Sequence, residues 1–136
     1  MSQENVVLVR KATDSWNSGG VEAVLPFYTE DVVWYPFADA PENPMGFDGH
    51  DGIRELTRGW NDSFDDFTII PHEIRDLGDL VVALGEVSAI VKGSQALVRQ
   101  PFASVAWDFR GGMIGKTRFF QSWEGALEAA GLSEQA

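Results

Sequence analysis

The sequence contains no cysteine in its 136 residues. That excludes disulfides, thiolate nucleophiles and cysteine-ligated metals together, and says little about compartment. Basic residues are few: 10 Lys and Arg stand against 21 Asp and Glu, a formal charge of −11. Such a balance disfavours phosphate backbones and anionic bilayers, so neither nucleic acid nor a membrane is an expected partner. No apolar run approaches the ~18 residues of a membrane-crossing helix. The opening MSQENVVLVRK lacks the basic, apolar and small-residue order of a secretory leader, which makes a cytoplasmic location the default. Histidine occurs only at His50 and His72. No second histidine stands at ligand spacing beside Asp48, His50 and Asp51, so no metal is expected. No glycine-rich phosphate loop joins a strand to a helix, and no cofactor is expected either.

What is present is a core. Hydrophobic residues make up 44% of the chain, with 5 tryptophans, and the length suits a single domain spanning 1–136. Val6, Val7, Val9, Ala12 (or Thr13) and Trp16 fall at helical spacing, so residues 3–18 read as an amphipathic helix ended by Gly19-Gly20. GVEAVLPFYTED gives a short second helix limited by Pro26. DVVWYPF, residues 31–37, reads as a strand of bulky side chains. GHDGIRELTRGWNDSF follows as a third helix, with an acidic side chain at its positive end. The remainder is β-like: FTIIPHEIRDLG, DLVVALGEVSAIVKG, LVRQPFASVAWDFR and MIGKTRFFQSW are strands joined by short turns. WEGALEAAG closes as a brief helix capped by Gly131. The plan is α+β: about three N-terminal helices, a curved antiparallel sheet, and a short C-terminal helix.

Gly111-Gly112 suits a two-residue hairpin turn and sets a register. With Arg110 opposite Met113, Phe109 faces Ile114, Trp107 faces Lys116 and Val105 faces Arg118. These six share one side of the sheet. Ser104, Ala106 and Asp108, with Gly115, Thr117 and Phe119, share the other. The first side is mostly large and apolar yet carries two cations. It is either a pocket wall or a face where long side chains snorkel outward.

The order of GVEAVLPFYTEDVVWYPF, GHDGIREL and WEGALEAAGL resembles the SnoaL-like group of the nuclear transport factor 2 superfamily, over residues 4–132. The resemblance implies a cone, a curved sheet wrapped around helices with a hydrophobic pocket at its wide end, and a homodimer formed through the sheet. Ketosteroid isomerases and limonene epoxide hydrolase belong to the same superfamily. Aligned with the isomerases, the base falls at Pro36, the tyrosine at Ala12 and the oxyanion-donating aspartate at Val105. None of these can move a proton, so steroid isomerisation is not expected. The Arg-x-Asp pair of the hydrolase has no counterpart in Leu84–Ser88, and its last-strand aspartate falls near Phe119 or Ser122.

Several residues remain as candidates. His72 can exchange a proton near neutral pH, and Asp39 could reach back from the loop after Pro36. Glu86 is a base candidate only if buried; the better apolar face of Val81, Ala83, Gly85, Val87 and Ala89 points it outward. Arg118 beside Trp107 and Lys116 could steady a carboxylate or enolate, or merely neutralise an internal charge. Trp16 and Trp34, with Trp107, Pro36, Val105 and Phe120, would line a site for a flat hydrophobic molecule. The activity that the resemblance implies is that of a cofactor-independent isomerase, cyclase or hydrolase acting on a hydrophobic cyclic or carbonyl-bearing metabolite. The alternatives are a non-catalytic binder of the same kind of ligand and a dimeric interaction module.

Overall fold

The computed structural model describes residues 2–36 and 46–131. Helix α1 (Ser2–Val24) buries Val9, Ala12 and Trp16, the stripe that 3.6-residue spacing puts on one side. Gly20 breaks it with φ 75° and ψ −155°, a conformation that a residue without Cβ adopts at little cost. The chain bends there, as the Gly19-Gly20 pair implies, and a 3-10 turn at Leu25–Phe27, with Pro26 near its start, leads into the first strand. Strands β1 (Tyr28–Tyr35) and β2 (Phe47–Asp48) precede helix α2 (Gly49–Ser63), which has Asp51 in its first turn. Then come β3 (Phe64–Asp76), β4 (Leu80–Val91), β5 (Leu97–Trp107), β6 (Ile114–Phe120) and helix α3 (Trp123–Ala129).

The strands form one open 6-stranded sheet in the order β2-β1-β6-β5-β4-β3. It is mixed rather than wholly antiparallel, because β1 runs parallel to β6. This pairing joins the two ends of the chain, and no local pattern in either strand announces it. The remaining pairings are antiparallel. Arg110 bridges Met113, Trp107 pairs with Lys116 and Val105 with Arg118. The ladder is interrupted between them, where Asp108 adopts φ 61°. Phe109 and Ile114 both pack with the inner cluster as a result, rather than on the side of Trp107.

The sheet has an apolar layer on each side. Its inner side meets α1 and α2 in a cluster that includes Val9, Trp16, Trp34, Ile53, Val81, Val87, Phe102 and Phe119. Fully burying a side chain such as Ile53 is worth about 1.5–3 kcal/mol. On the outer side, Val82, Leu84, Val105 and Phe120 pack with Ala126 of α3, flanked by Leu127 and Ala130. Ser122 caps α3 by accepting a hydrogen bond from the Gly125 N–H at 2.9 Å. The indole N–H of Trp123 donates to the Gly85 carbonyl at 2.8 Å, pinning the helix to β4.

At the edge of the sheet, β3 presents backbone groups that no strand among the described residues pairs. Helix α1 takes them up. Asn17 donates to Ile69 O at 2.7 Å and accepts from Ile69 N–H at 2.9 Å, and the Trp16 indole donates to Phe67 O at 3.0 Å. The side chains of α1 thus cover part of an edge that could otherwise recruit another strand.

An aromatic cavity as the candidate functional site

Between the inner side of the sheet and the helices lies a cavity of about 60 Å³. Trp16 comes to it from α1, Tyr28 and Trp34 from β1, Trp60 from α2, Phe102 from β5, and Phe119 from β6. The rings hold one another. Trp60 stacks on Phe67 at 5.0 Å and meets Trp16 edge-on at 5.9 Å, while Trp34 meets Phe119 edge-on at 4.9 Å and Tyr28 at 5.3 Å. Each such pair adds about 0.5–1.5 kcal/mol beyond burial, so the wall is preorganised.

Close approach of β3 completes the wall. A Cβ on Gly85 would lie 2.2 Å from Ile70 O, so only glycine fits beside the bulge that follows Pro71. That bulge, at His72, is the register shift that a proline in this strand makes plausible.

The polar groups at the cavity converge on the β1–β6 seam. Trp34 and Thr117 are register partners in the parallel pair, so their side chains stand side by side. Both are 3% exposed, and among the described residues neither the Trp34 indole N–H nor the Thr117 hydroxyl has a partner in good hydrogen-bonding geometry, the Tyr28 phenol being the near neighbour of the latter. Tyr28 is also buried. Burial pushes its phenol well above the ordinary value; the neighbouring Thr117 hydroxyl, which would favour the tyrosinate, offsets only part of this. Tyr28 is therefore a neutral hydrogen-bonding group. Ser104 and Thr13 also line the cavity, the latter with its hydroxyl committed to Val9 O at 3.0 Å. Among the described residues no carboxylate, imidazole, ammonium or guanidinium lines it.

The residues singled out in the sequence divide between the two sides of the sheet. Trp16 and Trp34 line the cavity. Pro36 is buried at the end of β1 but outside the lining. Val105, Trp107, Arg118 and Phe120 border a separate outer pocket of about 190 Å³ with Leu80 and Ala129. Lys116 lies opposite Trp107 on that outer side. The guanidinium of Arg118 sits 4.4 Å over the Tyr35 ring, which stacks on Trp107 at 5.9 Å. The hairpin register sorts these residues correctly into one side, but hydrophobicity cannot say which side is inner, because α3 makes the outer one apolar too.

His72 is exposed and bonds Glu86 at 3.1 Å on the outer side. Glu86 points away from the cavity, where Arg99 donates to it at 2.9 Å. The Arg99 guanidinium, with a smaller contribution from His72, holds the Glu86 carboxyl below the usual range. His50 faces the Tyr28 carbonyl at 3.1 Å, and no cluster of ligating side chains that could hold a metal occurs among the described residues. Asp39 lies outside the described residues. No helix among them is long and apolar enough to cross a membrane.

Trp60, Tyr28, Thr117, Phe102 and Phe119 were not evident as site residues from sequence. Trp60 had a signal: Ile53, Leu56, Thr57 and Trp60 recur at the spacing of one helix face.

The sequence model of the SnoaL-like domain family matches residues 9–116. No functionally curated protein matches the chain. Among solved structures, a Catenulispora acidiphila DSM 44928 protein with a ketosteroid isomerase-like fold, in complex with trimethylamine, has a TM-score of 0.71 at 16% identity, over 95% of each chain. TerC, co-crystallised with polyporic acid, has a TM-score of 0.75 at 18% identity, over 92% of this chain and 98% of that one. A Jannaschia sp. CCS1 protein classed with SnoaL-like polyketide cyclases has a TM-score of 0.73 at 16% identity, over 87% and 85%. At these identities the likeness is one of fold.

Proposed function

Since the chain belongs to the SnoaL-like domain family, we propose that it takes a small hydrophobic, cyclic or carbonyl-bearing molecule into the inner cavity. There it would serve as a cofactor-independent enzyme of isomerase, cyclase or hydrolase type. The observation that carries this reading is the aromatic wall of Trp16, Trp34, Trp60, Phe102 and Phe119, fixed by ring-to-ring contacts and completed by the close approach of β3 at Gly85. Such a wall suits a flat apolar ligand, with a few polar groups to orient it. TerC, which has the same fold and was crystallised with polyporic acid, lends support.

A second reading, binding without turnover, is favoured by one specific feature. The described lining offers hydrogen bonds but no group that exchanges a proton near neutral pH. Tyr28 holds its proton too firmly to act as an acid. Under the enzyme reading the proton carrier comes from elsewhere, and Asp39 is the candidate. His72 would serve only a substrate on the outer side. The Arg118 pocket there is the alternative location for an acidic ligand. Pairing of two copies through the sheet belongs to the same proposal, and Leu97, 67% exposed on the outer side of β5, supports it.

Titration of tryptophan fluorescence with cyclic ketones, epoxides and aromatic acids tests the site, and product analysis on every ligand that binds tests turnover. Saturable quenching by neutral cyclic compounds, unchanged in Arg118→Ala, supports the inner cavity. Quenching confined to aromatic acids and abolished by Arg118→Ala would move the site to the outer pocket. Binding without product after prolonged incubation would decide for the second reading.

A further inference from the structure

Resting on the inner-cavity reading, we propose that Trp34, Thr117 and Tyr28 form a cradle for one uncharged acceptor oxygen, so that the ligand is a neutral ketone, lactone or phenol rather than an acid. The cradle is built by the fold. Trp34 and Thr117 are adjacent across the parallel β1–β6 pair, and the Tyr28 ring lies 5.3 Å from that of Trp34 and beside the Thr117 hydroxyl. The indole N–H can only donate, the threonine hydroxyl can do either, and the phenol keeps its proton. An unpaired buried donor carries a penalty of about 1–3 kcal/mol. The Trp34 indole N–H, 3% exposed and lining the cavity, together with the Thr117 hydroxyl beside it, which has only the Tyr28 phenol as a near neighbour, is arranged to be satisfied by a molecule that enters.

The charge of that molecule follows from what surrounds the donors. Among the described residues no cation lines the cavity, and the chain as a whole carries −11. A carboxylate placed there would lose its hydration without gaining a counter-ion, which is far costlier than burying a carbonyl that receives hydrogen bonds. A hydrocarbon would leave the donors unpaired. Discrimination should therefore rank the neutral acceptor first.

Three probes of nearly one shape separate these cases: acetophenone, α-methylstyrene, which replaces C=O by C=CH2, and benzoate. Ligand-observed NMR titration of the protein should find acetophenone bound about three- to tenfold more tightly than α-methylstyrene, the worth of one or two hydrogen bonds. Benzoate should bind at least about tenfold more weakly than acetophenone, in the Arg118→Ala variant as well, which removes the cationic outer pocket. Trp34→Phe and the isosteric Thr117→Val should each bring acetophenone toward the affinity of α-methylstyrene and leave that affinity within about twofold. Equal binding of acetophenone and α-methylstyrene, or tighter benzoate binding in Arg118→Ala, overturns the cradle while the cavity reading stands. Failure of all three to bind at millimolar concentration overturns both.

Discussion

At the scale of single residues, Thr117 and Trp34 set binding against stability. A buried hydroxyl without a partner destabilises the folded chain, so Thr117→Val should raise the free energy of unfolding by about 1 kcal/mol while weakening a carbonyl ligand. Urea denaturation without ligand checks this. A loss of stability would mean that the hydroxyl is satisfied within the protein. Glu86 offers a second case. Its carboxyl is held low first by Arg99 and then by His72. A depressed carboxylate contributes stability that is present above its unfolded pKa and lost as pH falls through its folded one. In Arg99→Gln the Glu86 midpoint, followed by NMR, should rise back toward the ordinary carboxylate value. These placements were half legible in the sequence. Glu86 points outward as the alternating apolar face of β4 implies, and the hairpin grouped Thr117 with Phe119, Ser104 and Ala106. What the residues could not say is that this group faces the helices, since both sides of the sheet are apolar.

At the scale of elements, helical spacing and glycine placement made α1, α2 and α3 readable. The long strands followed from β-branched runs between turns. Two features escaped that logic. The parallel pairing of β1 with β6 joins residues about 80 positions apart in the chain, a contact governed by chain topology rather than local pattern. The left-handed turn at Asp108 rotates Phe109 inward and needs no glycine to announce it. The junction of α1 with β3 is testable. Asn17→Ala removes both hydrogen bonds to Ile69 and should cost about 1–2 kcal/mol in urea denaturation. It should also speed hydrogen exchange at the Ile69 amide; unchanged exchange would show that another group covers this edge. Gly85→Ala forces a methyl group against Ile70 O. It should cost about 2–3 kcal/mol, read as a lowered thermal midpoint, with β3 displaced at the Pro71 bulge.

At the scale of the molecule, one curved sheet separates two chemistries. Inside are neutral aromatic walls and unpaired hydrogen-bonding groups; outside are α3, the Glu86–Arg99–His72 cluster and the cationic pocket at Arg118. The cone plan was legible because several segments stand in the order that the SnoaL-like group shows, whereas the site depends on which side of the sheet each strand residue takes. The central claim is that the ligand enters the inner cavity. Ala106, 2% exposed, lines that cavity and does not border the outer pocket. The decisive measurement is the acetophenone titration of Ala106→Leu, whose isobutyl side chain fills the space the ligand needs. Saturable binding should be lost while the circular dichroism spectrum remains that of the folded protein. Binding of undiminished affinity in the folded variant would contradict the account.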